Sequence, residues 1–446
     1  MLRNHKIEIP EEASYILSTL NRHGFEAFVV GGCVRDSLLG RTPGDWDITT
    51  NARPHKVKEL FEKTVDTGLQ HGTVTIVLHG EHFEVTTYRI EGEYKDYRRP
   101  EFVKFTTSLE DDLSRRDFTM NAIAYNPEKG FVDPFHGKAY IENALIKTVG
   151  NPDQRFNEDA LRMLRAIRFS AQLDFKIDPD ALTSLENNCH LIHNISSERI
   201  RDELNKILLS SNPDRLDLLR DTGLLRQVLP EFDRCFDTDQ NHPYHVYHVA
   251  HHSLKGVSLI ERDLVLRWTM LLHDVGKAVT KTTDEKGIDH FYGHPLKSAA
   301  IAHKIFKRLR FDTRTMDKSI RLIAQHDRQI EASCKAVRKA VRAVGEDIFL
   351  DLLKVQEADK KSQNPEFLSD RLENLNRIRK MYLEIKETNQ CISLKDLAID
   401  GQDLIAIGYV PGKQIGIVLD QLLDAVLDNP KLNSKEKLLE MARQLK

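Results

Sequence analysis

The spacing of apolar positions changes once along the chain. Up to about residue 148 short β-type runs stand among helical stretches. EAFVVGG reads as a strand closed by two glycines, and DWDITT as a second strand. TVTIVLH and HFEVTTYR alternate on either side of His79–Gly80 and read as a hairpin. This pattern predicts an α/β head with a mixed sheet. From about residue 150 apolar residues recur at helical spacing to the end, so the remainder reads as all-α. NEDALRMLRAIRFSAQL predicts a strong helix, and SSERIRDELNKILLS another that opens on serine and acidic residues. The zones are 1–148, 149–220, 221–370 with most of the histidines, and a charged tail, 371–446, broken near Gly408 and Pro411–Gly412. The fold class is multidomain α+β.

Composition narrows this only a little. With 446 residues the chain exceeds one compact core, and 40% hydrophobic with 30% charged residues is ordinary for a globular protein. No apolar run reaches the roughly 20 residues a membrane helix needs. The opening MLRNHKIEIPEEA lacks a signal-type apolar core, so a cytoplasmic protein is expected. Five scattered cysteines without a CxxC argue for reduced thiols rather than a disulfide framework or zinc ribbon. A net charge of −3 excludes a protein that is basic overall but leaves room for local basic faces.

Two constellations carry chemistry. In FVVGGCVRDSLLG, Gly31 and Gly32 follow a strand and precede a helical run, a place where backbone N–H groups can approach a phosphate. Asp45 and Asp47 follow, and on a strand positions i and i+2 share a face. Two such carboxylates repel unless a cation lies between them, and Mg²⁺ takes one or two carboxylates together with phosphate oxygens. A pair of acids on a solvent-facing strand is the competing explanation. Glu84, in the middle of HFEVTTYR, can join the pair if its strand is a neighbour.

With these residues the chain resembles the nucleotidyltransferase head of class II tRNA nucleotidyltransferases and bacterial poly(A) polymerases. YRIEGEYKDYRRPEFVKF, LSRRDFTMNAIAY, GFVDPFHG and NEDALRMLRAIRF follow in family order, over about residues 25–210. DGQDLIAIGYVPGKQIG resembles the C-terminal region of the bacterial enzymes that add CCA. The resemblance implies two Mg²⁺ ions on Asp45 and Asp47, with Glu84 as a third carboxylate. It implies triphosphate contacts for Gly31, Gly32 and Arg35, with Asp36 orienting Arg35, and places Arg116 and Asp117 near the ribose. It adds Arg165 and Arg168 to the nucleotide-binding residues, CTP and ATP as substrates, and the acceptor end of tRNA as partner.

Asp159 and Arg162 lie three apart on a helical run and so share a face. An acceptor-only carboxylate beside a donor-only guanidinium matches the Watson–Crick edges of cytosine and adenine and mispairs with guanine and uracil. Glu158, Asp159 and Arg162 also match the family's EDxxR motif, whereas in an arbitrary helix such a pair is a surface salt bridge. Ala160 stands where the resembling poly(A) polymerases usually carry proline, and the loop from Arg89 to Lys104 has full length. The first favours CCA addition over poly(A) synthesis, and the second counts against an enzyme that adds only CC; an enzyme adding only the terminal A stays open as the alternative.

The second constellation is VAHHSL, WTMLLHDVGKAVT, FYGHPLKSAAIAHKIF and LIAQHDRQIE. It resembles an HD phosphohydrolase domain and implies His252, His273 and Asp274 as ligands of a second divalent metal (Mn, Ni, Fe or Zn). His294 and His326 are later candidates, and the last acid is Asp327 or Asp359. A degenerate domain kept as a helical body is the bland alternative; a phosphohydrolase with an RNA-binding head is the rival function. Two basic groups could track phosphates: Arg155, Arg162, Arg165 and Arg168, and Lys335, Arg338, Lys339 and Arg342 on one helix face. A solvated basic face is the commoner meaning of such runs.

Overall fold

The computed structural model describes residues 6–92, 101–241, 243–244 and 246–446. Most of the loop between Arg89 and Lys104, residues 93–100, lies outside them. The chain divides into two compact units, Met1–Pro230 and Glu231–Lys446. The expected head and neck fall in the first, and nearly all of the expected histidine-bearing zone and the tail in the second.

Up to residue 132 the described residues of the first unit form nine strands: β1 Ala27–Val30, β2 Ile48–Thr50, β3 Thr64–Gly68, β4 Thr73–Leu78, β5 Glu81–Thr87, β6 Arg89–Glu91, β7 Val103–Phe105, β8 Ala124–Asn126 and β9 Gly130–Val132. Seven form one mixed sheet in the order β3-β4-β5-β2-β1-β8-β9, and β6 pairs with β7 separately. The predicted hairpin is β4–β5, closed by His79 at φ 50° and Gly80 at φ 88°. β5 runs parallel to β2 with Ile48 opposite Val85, which brings Asp47 level with Glu84. Central β1 is buried along its length, and Phe28, Val30, Tyr88, Leu113 and Ala124 belong to one apolar cluster beneath the sheet.

Three expectations need correction. DWDITT is strand only from Ile48 onward; Asp45 and Asp47 sit in the segment leading into β2, although the Asp47 carbonyl still accepts the Val30 N–H at 3.0 Å. NEDALRMLRAIRFSAQL is not one helix but two, Pro152–Glu158 and Leu161–Leu173, broken at Asp159 with φ −139° and ψ 103°. The remainder is helical except for two short pairings, Leu145–Ile146 with Lys176–Ile177 and Thr282–Thr283 with Asp289–His290.

In the second unit the helices Val249–Leu259, Leu264–Leu272, Thr313–Gln325 and Glu346–Lys361 pack on one another. The tail closes a core of its own around Leu404, Val418, Leu422, Val426 and Leu438. The basic face of helix Cys334–Val344 meets helix Lys413–Asp428. Lys335 and Lys339 pair with Asp428 at 3.0 and 2.6 Å, and Arg342 pairs with Asp420 at 2.8 Å and with Asp424. Buried Arg338 donates to the Leu427 carbonyl at 2.8 Å. This face ties two helices together and is not a free phosphate track.

Candidate functional site

The end of β1 and the start of the helix Gly32–Leu38 form the floor of the first site. Gly31 holds φ 85°, a conformation that favours glycine, and a Cβ there would stand 3.0 Å from Arg116 Nη1, at the end of a side chain that would have to give way. Arg35 is buried, with Nε and Nη2 on Asp36 at 2.9 and 3.0 Å and Nη1 on Asn121 Oδ1 at 2.7 Å. Asp36 therefore does orient Arg35.

Asp45 and Glu84 are exposed, and Asp47 is partly buried between them and the sheet. Burial pushes the Asp47 carboxyl up to about 6, the charges of Asp45 and Glu84 add to it, and Arg116 opposes them. The three carboxylates therefore sense one another. Among the described residues they are not drawn within 4.8 Å as a set, unlike the histidine clusters below. Mutual repulsion at Asp47, relieved by a cation, fits a divalent metal.

Behind them lies a mesh of ion pairs. Asp112, fully buried, takes Arg115 at 2.7 Å and lies 3.8 Å from Arg116. Burial acts against the Asp117 carboxylate, yet Arg165 and Asn121 outweigh it and hold it below the usual range. Arg165 reaches Asp117 at 2.6 Å, and Asn121 donates to it at 3.1 Å. Arg168 pairs with Glu203 at 2.8 Å, and burial lowers its guanidinium to about 10. The guanidiniums of Arg35, Arg165 and Arg168 surround the Phe169 ring at 4.9, 5.5 and 4.1 Å. Sequence reasoning missed Asp112, Asn121, Phe169, Arg199 and Glu203. Asp112 and Asn121 flank the RRDF segment and Phe169 ends the NEDALRMLRAIRF motif, so proximity in sequence was their only signal.

Asp159 and Arg162 do not share a helix face. Asp159 caps the second helix, accepting the Leu161 N–H at 3.0 Å, and its carboxylate bridges to Arg199 at 2.9 Å. Arg162 takes Glu158 at 2.6 Å and the Arg115 carbonyl at 3.1 Å. Arg155 also pairs with Glu158, at 2.5 Å. The neck arginines are thus bound to protein acids and carbonyls rather than forming a bare basic strip.

In the second unit the histidine motifs converge. His252 Nε2 lies 2.9 Å from Asp359 and 3.5 Å from Asp274, and His273 Nε2 lies 3.3 Å from Asp274. On the other Asp274 oxygen, His294 and His326 Nε2 stand at 3.2 and 3.5 Å. His273, His294 and His326 point Nδ1 at the carbonyls of Met270, Phe291 and Ile323 at 2.7–2.9 Å, and His252 Nδ1 faces the Ser362 hydroxyl at 3.0 Å. A donated Nδ1–H leaves each Nε2 lone pair free for a metal. The result is two ligand triads, His252/His273/Asp274 and Asp274/His294/His326, with Asp274 in both. The open choice of last acid resolves to Asp359; Asp327 is exposed and contacts Gln329 instead.

Burial disfavours a charged His273, but Asp274 and Asp359 outweigh it and push the imidazole up to about 10. Burial disfavours an ionised Asp274, but His273 and Lys277 hold it well below the usual range. The centre opens into a cavity of about 630 Å³ lined in part by Lys277, His290, Tyr292 and Arg371.

A mixed sheet with a strand–GG–helix turn, two acids leading into β2 beside a third on the parallel neighbour β5, and a helical neck defines a nucleotidyltransferase. Family models agree: "Poly A polymerase head domain" matches residues 27–147, "Probable RNA and SrmB- binding site of polymerase A" 174–236, and the tRNA nucleotidyltransferase domain 2 model 294–442. His252, His273 and Asp274 fall between the last two segments. The CCA-adding enzyme of Ligilactobacillus salivarius is 36% identical over 98% of this chain and 98% of its own. That of Geobacillus kaustophilus is 52% identical over 48% of this chain and 53% of its own. The solved Bacillus stearothermophilus CCA-adding enzyme in complex with CTP superposes with a TM-score of 0.73 at 29% identity, covering 97% of this chain and 98% of the other. The chain belongs to the CCA-adding enzyme family, and divalent-metal dependence follows from that membership. No helix among the described residues is long and apolar enough to cross a membrane.

Proposed function

We propose that this protein completes tRNA 3′ ends in the cytoplasm, adding C, C and A from CTP and ATP without a nucleic-acid template, and that Asp45, Asp47 and Glu84 form its catalytic carboxylate group. In each cycle the bond from the RNA 3′-oxygen to the α-phosphorus forms as the bond to pyrophosphate breaks. Mg²⁺ held by Asp45 and Asp47 would supply charge neutralisation at the triphosphate and make the 3′-hydroxyl a better nucleophile. The observation that carries the reading is the placement of Asp47 level with Glu84 across the parallel β2–β5 pair, in a chain 36% identical over 98% of its length to a CCA-adding enzyme.

The remaining roles belong to the chain's own side chains. Gly31 and Gly32 let the triphosphate approach the backbone, and Arg35, held by Asp36 and Asn121, meets its charge. Arg116 and Asp117 lie by the ribose. Asp159 and Arg162 read the base edge, the carboxylate accepting from the amino group and the guanidinium donating to the ring nitrogen. Arg165 and Arg168 back them.

The test is primer extension on tRNA ending before CCA, after C and after CC, each with labelled CTP or ATP. Two C and one A followed by a stop is the expected result. ATP use on the CC-ended tRNA alone would replace the reading with an A-adding enzyme, and long A tails with a poly(A) polymerase.

The doubled triad around Asp274 supports a second reading. His252, His273, Asp274 and Asp359 would hold one divalent ion (Mn, Ni, Fe or Zn), and Asp274, His294 and His326 a second. Metal there would supply an activated water for phosphoester hydrolysis. Lys277 and Arg371 at the cavity wall suit a phosphate. Phosphate release from p-nitrophenyl phosphate, dependent on added metal and absent from His273→Ala, tests it.

A further inference from the structure

We propose that Arg199 sets base selectivity by holding the Asp159 carboxylate open toward the nucleotide; this rests on Asp159 reading the base, as above. Asp159 and Arg162 carry opposite charges three residues apart, yet each side chain is bonded elsewhere. Arg199 grips both oxygens of Asp159, at 2.9 and 3.4 Å, while Glu158 and the Arg115 carbonyl hold Arg162. An acceptor and a donor that closed on one another would have nothing to offer a base. Separate partners keep the two apart, and the Asp159 side chain stays 17% accessible.

Asp159 needs such a partner because of its position. It stands in the break between two helices, and its side chain's bond within its own segment is the cap to Leu161. Arg199 reaches it from helix Ser197–Leu208, which packs on Leu161–Leu173. One turn further on, Glu203 of the same helix pairs with Arg168 and is itself only 3% exposed. That buried pair anchors the helix, so Arg199 is presented from a fixed frame. A carboxylate has about four lone-pair sites. Arg199 takes one on each oxygen and leaves acceptor capacity for a base amino group. Arg199 is thus a positioning residue, acting through Asp159 without touching the base.

The experiment is the ratio of kcat/KM for CTP over UTP, on full-length enzyme and tRNA ending before CCA, for Arg199→Met, Arg199→Lys, Asp159→Asn and the Arg199→Met/Asp159→Asn double variant. Arg199→Met should lower the ratio by about tenfold, a usual size for coupling between bonded neighbours. Arg199→Lys should recover part of it, and the double variant should match Asp159→Asn alone. Equal loss of turnover with both nucleotides and an unchanged ratio in Arg199→Met would reduce Arg199 to a structural tie and overturn the proposal. So would a double variant that loses the two effects additively. An unchanged ratio in Asp159→Asn would instead remove the base-reading role of Asp159. If Arg199→Met fails to fold, Arg199→Lys combined with Asp159→Asn gives the same cycle.

Discussion

The carboxylate group of the first unit and the histidine centre of the second solve the same electrostatic problem in opposite ways. In the first, Asp45 and Glu84 face solvent, and the three carboxylates lie side by side without converging. The arginines behind them are already paired with protein acids. In the histidine centre, Asp274, His252 and His273 are almost fully buried, and each imidazole is aimed by a bond to its second nitrogen. On the proposed reading a triphosphate would complete the first arrangement with its own oxygens and charge, whereas the second already has its donor groups gathered within the protein. A site that must release product each cycle benefits from substrate-supplied ligands, whereas buried donors hold a resident ion.

The sharpest way to break this contrast is to remove one acid from each region. Asp47→Ala should lower nucleotide addition on the order of 10³-fold or more while tRNA affinity in a gel-shift assay stays near that of the parent. Turnover close to normal would end the catalytic assignment. His273→Ala should leave CCA addition within about twofold, since the histidine centre lies in the other compact unit and shares no residue with the carboxylate group. It should also remove metal-dependent phosphate release. Loss of both activities would show that the two regions are not separable.

Metal loading gives a smaller effect with a clear sign. Mn²⁺ at about 100 times its Kd should stabilise the protein by about 2.7 kcal/mol. The rise in Tm should shrink in His294→Gln, which removes one triad, and vanish in Asp274→Asn, which removes the ligand both triads share. Smaller again is Asp47→Asn. The Asp47 carboxyl titrates near 6 in the fold against 3.8 when free. Its proton-linked stability is full below pH 3.8 and is lost as pH rises through about 6. The Asn variant of the metal-free protein should therefore be more stable by roughly 1 kcal/mol at pH 7.5, allowing for partial exposure, with no advantage near pH 3.5. A pH-independent difference in urea unfolding would assign it to packing. Last, Arg342→Ala cuts ion pairs to exposed Asp420 and Asp424 and should cost no more than about 1 kcal/mol.

Much of both regions was legible in the chain itself. The β4–β5 hairpin follows from alternation around His79–Gly80, because a side-chain period of two and a turn at positive φ are local properties. The double glycine, the DWD pair and the order of the histidine motifs are likewise local, and motif order identified the family. Other features required the tertiary structure. The helix break at Asp159 defeats the i,i+3 argument, since helical periodicity reports which positions are apolar and not where an acid caps a new helix. Asp359 rather than Asp327 stands against His252 of the first triad because Glu346–Lys361 packs beside Val249–Leu259, over a hundred residues earlier in the chain. The basic face of Cys334–Val344 looked available for RNA until the tail helix brought Asp420, Asp424 and Asp428 against it. Arg199 carried no signal at all, because its partner lies 40 residues away. Sequence determined which chemical groups the protein owns and the local frames that carry them. Folding decided which charges neutralise one another and which stay open, because Coulomb pairing and desolvation depend on distance in space rather than on separation along the chain.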